Sequence, residues 1–320
     1  MAPSLARLLP AKLPVGLLDL ALRLLVKRRL AREDDPLSFR AHLAGIAPLM
    51  RDPPGARYDA VELRDGERRI PAEWAEMRPR PGTAEGCDLG TILYLHGGAY
   101  IGGSPATHRH LAAALAGAAG MRALVIDYRL APEHPLPASL RDARAAWNWL
   151  VARGTPPARI ALAGDSAGGG LALALLADLT ADRRALPGGL ALFSPWVDLR
   201  GGARSLAANA ERDAMLPAAR IEDVVRFCLG ENGDASDWRI SPVLARFDRP
   251  PPAIVFASMA EILLDDAIAT AEVLKAAGSD PALELRDGLP HAWPIFRGYL
   301  AEADEAVEKA GAFLRAAIAP

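Results

Sequence analysis

The sequence predicts an α/β protein, one large domain with a mostly parallel sheet, helices on its faces and an inserted helical segment. Three observations carry this. From Thr91 onward, short apolar runs alternate with helical stretches of 10 to 15 residues, the pattern of consecutive βαβ units. Between about residues 200 and 248 charged and small residues replace that pattern, which then resumes. A chain of 320 residues with 51% hydrophobic content can fill one sizeable core.

Taken in order, residues 1 to about 50 read as helices separated by proline, without strand alternation. Tyr58 to Leu63 and Ile70 to Met77 are short strands around Asp65-Gly66, a hairpin signal. Pro79, Pro81 and Gly82 make a loop, and Thr91 to Leu95 is a compact apolar run of the kind buried mid-sheet. A helix (about 107–119), strand (122–127), helix (139–152), strand (159–163), helix (167–180) and strand (189–194) follow. The irregular stretch holds helical candidates around 217–229 and a turn at Gly230 to Asp237. Ala253 to Ser258 (strand), Leu264 to Ala277 (helix), Ala282 to Arg286 (strand) and Glu302 to Ala316 (helix) bring the strand count to eight. The expected organisation is 1–50 N-terminal helices, 51–199 first part of the core, 200–248 insertion, and 249–320 second part of the core.

The chemistry is written at Gly164-Asp165-Ser166-Ala167-Gly168, a G-x-S-x-G pattern between the apolar run ending at Ala163 and a small-residue helix. In a strand–turn–helix context this pattern presents a serine nucleophile on a sharp turn, and the helix behind it aims free N–H groups at a developing oxyanion. A second glycine loop, His96-Gly97-Gly98-Ala99-Tyr100, follows the strand Thr91 to Leu95. Together these predict an oxyanion hole from the amides of Gly97, Gly98 and Ala167, with His96 shaping the loop. Of six histidines, at 42, 96, 108, 110, 134 and 291, only His291 lies after the serine, so it is the predicted base. The acid must follow the strand Ala253 to Ser258. Glu261 stands three residues past it, whereas Asp265 and Asp266 read as first-turn residues of the next helix; Glu261 is preferred, with Asp265 the alternative.

Composition excludes several other classes. A net charge of -2, from 37 basic and 39 acidic residues spread along the chain, gives no nucleic-acid footprint. Cys87 and Cys228 are too few for a disulfide framework or a thiolate metal site, which favours a reducing, cytoplasmic setting. His108 and His110 are two apart, on different helix faces, so no metal is expected. The leucine-rich stretch Leu5 to Leu30 is broken by Lys12, Asp19, Arg23, Pro10 and Pro14, and reads neither as a signal peptide nor as a stable membrane span. Leu17, Leu18, Leu20, Ala21, Leu24 and Leu25 fall at helical spacing, an amphipathic helix expected to rest on the protein's own surface.

These motifs resemble the hormone-sensitive lipase (HSL) family of α/β hydrolases, in its bacterial esterase branch of monoterpene ε-lactone hydrolases and acetyl-hydrolases. HGGAY resembles the family's H-G-G-G oxyanion motif, and GDSAGG its nucleophile motif. YRLAPEHPLPA (Tyr128 to Ala138), SPWVDL (Ser194 to Leu199), EILLDD and LPHAW extend the match through nearly all of 55–320. The resemblance implies an α/β-hydrolase fold, with a helical cap made of the first 50 residues and the 200–248 insertion. It also implies a Ser166–Glu261–His291 triad that hydrolyses short-to-medium acyl esters or lactones without a cofactor. Two departures stand out: Ala99 replaces the third oxyanion glycine, and Glu261 stands where the familiar acid motif has aspartate. Asp127 and Asp165 are expected to be structural, and Glu133 and His134 to brace the oxyanion segment. A ligand-binding protein or a peptidase on the same scaffold is the rival reading, and a homodimer is left open.

Overall fold

The run Thr91–Leu95 is an inner strand with all five residues buried. The computed structural model describes residues 12–78 and 89–318. The expected loop at Pro79, Pro81 and Gly82, the residue Cys87 and the start of the leucine-rich stretch lie outside these residues.

The N-terminal segment forms α1 (Val15–Ala21), continued through a π-helical stretch, Leu22–Lys27, into α2 (Arg28–Leu30). It rests on the protein's own surface, with Val15 and Val26 packed beside Leu18 and Leu22 on the second core. Leu18 and Leu22, four residues apart, are buried, while Leu17, Leu20, Leu24 and Leu25 face outward. The inward stripe is narrow, and among the described residues most of the leucines are left uncovered. Helix α3 (Pro36–Ile46) starts where Asp35 caps it, accepting from the amides of Leu37 and Ser38.

The strands are β1 (Ala56–Asp65), β2 (Arg68–Met77), β3 (Thr91–Leu95), β4 (Arg122–Ile126), β5 (Ile160–Asp165), β6 (Gly189–Phe193), β7 (Ala253–Ser258) and β8 (Ala282–Arg286). They make one eight-stranded sheet in the order β1-β2-β4-β3-β5-β6-β7-β8. Only β2 runs against its neighbours; every pair from β4 through β8 is parallel. Because successive strand residues point to opposite faces, Leu93 and Leu95 enter one core and Ile92 and Tyr94 the other. Helices α4 (Pro105–Ala119) and α10 (Ala301–Ile318) cover the second face; α5 (Ala138–Ala152), α6 (Ala167–Ala181) and α9 (Leu264–Ala276) cover the first. In the insertion, α7 (Arg204–Ala208) has no counterpart in the sequence reading, and α8 (Ile221–Leu229) occupies the expected 217–229 stretch after a short 3₁₀ turn.

Parallel strands end at the same edge of a sheet, so the loops after β3, β5, β6, β7 and β8 gather there. Those loops carry the glycine motif, Ser166, Ser194, Glu261 and His291.

Candidate active site

Ser166 sits between β5 and α6 with φ 52° and ψ −123°, a conformation that non-glycine residues rarely adopt. Its amide donates to Phe193 O at 2.8 Å and its carbonyl accepts from Trp196 N at 2.9 Å, so the loop after β6 clamps the turn from both sides. Helix α6 can begin this close to β3 because a Cβ on Gly168 would stand 2.0 Å from Leu95 O. Asp165 and Ala167 are buried, but Ser166 between them is half-buried and faces a cavity of about 100 Å³. Phe39, Trp196, Leu216, Ile221, Val224 and Phe227 line it, drawn from α3, the loop after β6, the stretch before α8, and α8 itself.

The glycine loop stands beside this turn. Gly98 has φ 119°, and a Cβ there would meet Gly102 O at 2.3 Å, so the position is closed to other residues. The structure corrects the expectation for Gly97. Its N–H donates to Asp165 Oδ1 at 3.1 Å and is not available to an oxyanion. Among the described residues, the amides of Gly98, Ala99 and Ala167 have no acceptor. Asp165 is structural, as expected: it also accepts from the Tyr94 hydroxyl at 2.8 Å and lies 3.3 Å from His108 Nε2. Burial opposes its ionisation, yet His108 and these donors hold its pKa below the ordinary carboxylate value. His96 shapes the loop through Nδ1, 2.8 Å from Gly97 O, and stacks on Tyr128, whose hydroxyl donates to His96 O at 2.6 Å. Burial lowers the His96 pKa to about 3, so the ring is neutral. Asp127 differs from expectation: the residue is exposed, and among the described residues only its amide is tied down, to Pro71 O.

Glu261 and His291 are brought together. Both are buried, with Glu261 Oε2 3.4 Å from His291 Nδ1. This is slightly longer than a hydrogen bond. Burial works against a charged imidazole, but the Glu261 carboxylate outweighs it and holds the His291 pKa above the ordinary 6.5. Asp265 is turned elsewhere: its carboxylate accepts from Ser205 N at 3.0 Å, at the start of α7. Asp266 accepts from Val197 N and Asp198 N, and burial raises its pKa to about 7.

Several contributors escaped the sequence reading. Ser194 donates to Glu261 Oε2 at 2.7 Å. Asn209 donates to Glu261 O, and Asp213 accepts from Ile262 N, so the insertion holds the acid's loop. Ser194 opens the segment SPWVDL, but nothing local shows what any of these residues bonds, because each partner is about 50 or more positions away.

A strained serine at the carboxyl edge of a parallel sheet, with unengaged amides beside it, defines an α/β-hydrolase-fold serine enzyme. A family model described as "alpha/beta hydrolase fold" matches residues 92–295. The chain is 39% identical over 278 residues to an acetyl-hydrolase of Streptomyces hygroscopicus, covering 83% of this chain and 90% of that one. It superposes on an esterase from the bacterial hormone-sensitive lipase (HSL) family with TM-score 0.83 and 35% identity, covering 100% of this chain and 99% of the other. It is also similar to EstE5 from a crystal soaked with p-nitrophenyl butyrate, with TM-score 0.86, 32% identity, and 96% and 99% coverage. The chain belongs to the HSL family of bacterial esterases, and is a serine-dependent carboxylic ester hydrolase.

Proposed function

We propose that this esterase hydrolyses short-to-medium acyl esters or lactones through Ser166, His291 and Glu261. The observation that carries the reading is Ser166, strained and half-buried, facing a small apolar cavity. In this reading Ser166 Oγ attacks the ester carbonyl while His291 takes its proton and Glu261 orients the imidazole. The oxyanion is met by the amides of Gly98, Ala99 and Ala167, the last at the positive end of α6. His291 then protonates the leaving alcohol, and water cleaves the acyl-enzyme by the same steps reversed. The α3 region and the 200–248 insertion act as the cap, since both line the cavity. At about 100 Å³ that cavity is smaller than the engineered protein cavity of about 150 Å³ that takes up benzene, which favours a short acyl chain. The acetyl-hydrolase relative agrees with that preference.

The test is p-nitrophenyl butyrate hydrolysis combined with fluorophosphonate labelling. Wild-type enzyme is labelled and active; Ser166→Ala loses the label and at least about 10³-fold in kcat, with the fold intact by circular dichroism. A Ser166→Ala enzyme that keeps turning over would refute the assignment. A wild-type protein that resists labelling and cleaves no ester would instead be a ligand-binding protein.

A further inference from the structure

Ser194 follows β6 and opens the segment SPWVDL, to which the sequence reading gave no role in the chemistry. It is fully buried, and its φ is 48°, in the left-handed region that serine seldom occupies. Its amide is held by Phe256 O at 2.7 Å. The hydroxyl makes two hydrogen bonds in opposite senses. It donates to Glu261 Oε2 at 2.7 Å, and it accepts from the amide of Ala292 at 3.0 Å. Ala292 is the residue after His291 and has a positive φ of its own, 48°.

The oxygen that Ser194 holds is also the one nearest the imidazole, since Oε2 lies 3.4 Å from His291 Nδ1. One side chain therefore grips both the acid and the backbone of the histidine loop. The other carboxylate oxygen, Oε1, is buried without a hydrogen-bond partner among the described residues. Ser194 is thus the side-chain donor that fixes which way the carboxylate points. The grip suits glutamate in particular, because its side chain has one more rotatable bond than aspartate and needs more restraint.

The geometry points to Ser194 as a positioning residue that registers Glu261 against His291 for ester hydrolysis, an inference that rests on the triad reading above. It moves no proton and touches no substrate. Its effect is to keep the carboxylate beside Nδ1, so that the imidazolium formed in the transition state meets its counter-charge without rearrangement.

The experiment compares wild type, Ser194→Ala, Ser194→Gly, Glu261→Gln and His291→Ala with p-nitrophenyl butyrate across pH, scaled to sites titrated by fluorophosphonate. A hydrogen bond to a charged group is worth enough that Ser194→Ala should lose about 10- to 100-fold in kcat, with KM within about twofold of wild type. The acid limb of the kcat/KM profile should also move to lower pH, because a carboxylate free to swing away supports the imidazolium less. Ser194→Gly removes the hydroxyl and relieves the positive φ, so it should show the same deficit and stays informative if the alanine variant folds poorly. The inference is overturned if both variants keep wild-type kcat and acid limb, or if Ser194→Gly recovers the activity that Ser194→Ala loses, since backbone strain would then be the cause. Impaired Glu261→Gln and His291→Ala beside a fully active Ser194→Ala would defeat this role and leave the triad standing. A fully active Glu261→Gln would defeat both.

Discussion

Glu261 and Asp265 are four positions apart, yet their surroundings separate them. Glu261 is buried with its carboxylate beside His291, whereas Asp265 accepts a hydrogen bond from the start of α7. Glu261→Gln should lower kcat by about 10²–10⁴-fold, because the amide no longer stabilises the imidazolium and permits the wrong tautomer. Asp265→Asn should leave kcat near wild type, its cost appearing in thermal stability. A pH profile adds a second reading. In the proposed mechanism His291 must be neutral to act as base, so activity should rise with pH through the imidazole's pKa, which Glu261 holds above 6.5. The acid limb should therefore have its midpoint above 6.5 in the wild type and move downward in Glu261→Gln. A midpoint unmoved by that substitution would argue against the pairing.

Among the elements, α3 reaches the residue just after the glycine loop. Arg40 donates from Nε to Ile101 O at 2.7 Å and from Nη2 to Ala131 O at 2.7 Å, and pairs with Glu133 through both terminal nitrogens. Glu133 thus braces the oxyanion segment through α3, in keeping with the expectation for that loop. Arg40→Ala should cost about 1–2 kcal/mol, toward the low end for charged hydrogen bonds because the pair is partly exposed. It should lower Tm by several degrees and reduce kcat/KM. Glu133→Gln should do less of both, since it leaves the two carbonyl contacts in place. The sequence made the elements legible wherever burial imposes a period: β7 and β8 lie at their expected bounds, and β3 is the apolar run itself. Strands β1 and β2 extend further than their apolar cores because the charged pair Asp65–Arg68 still hydrogen-bonds beside the turn. Helix α7, five residues long, is too short to show a helical period. The strained turn at Ser166 was legible, because its motif is local. The bond from Ser194 was not, nor was the engagement of the Gly97 amide by Asp165, because those partners stand 67 and 68 residues away.

At the scale of the whole molecule, a parallel sheet supplies the edge, and α3 and α8 line the cavity beside it. Among the described residues, no helix is long and apolar enough to cross a membrane. Because the cavity is small and walled by Phe39, Leu216 and Phe227, a p-nitrophenyl ester series from acetyl to palmitoyl should peak at six carbons or fewer and fall at least about tenfold by sixteen. Phe227→Ala should move the optimum toward longer chains; a flat profile would show that the acyl group lies outside this cavity. One feature of the backbone extends to stability. Seven described residues other than glycine have positive φ, and five of them (Ala99, Tyr100, Ser166, Ser194 and Ala292) belong to the loops of the candidate site. Each costs about 1–3 kcal/mol, so turnover and heat tolerance draw on the same few peptide units. Ser166→Gly should accordingly melt at a higher temperature than the wild type while cleaving no ester, and screens that reward thermal endurance alone would drift toward well-folded, inert proteins.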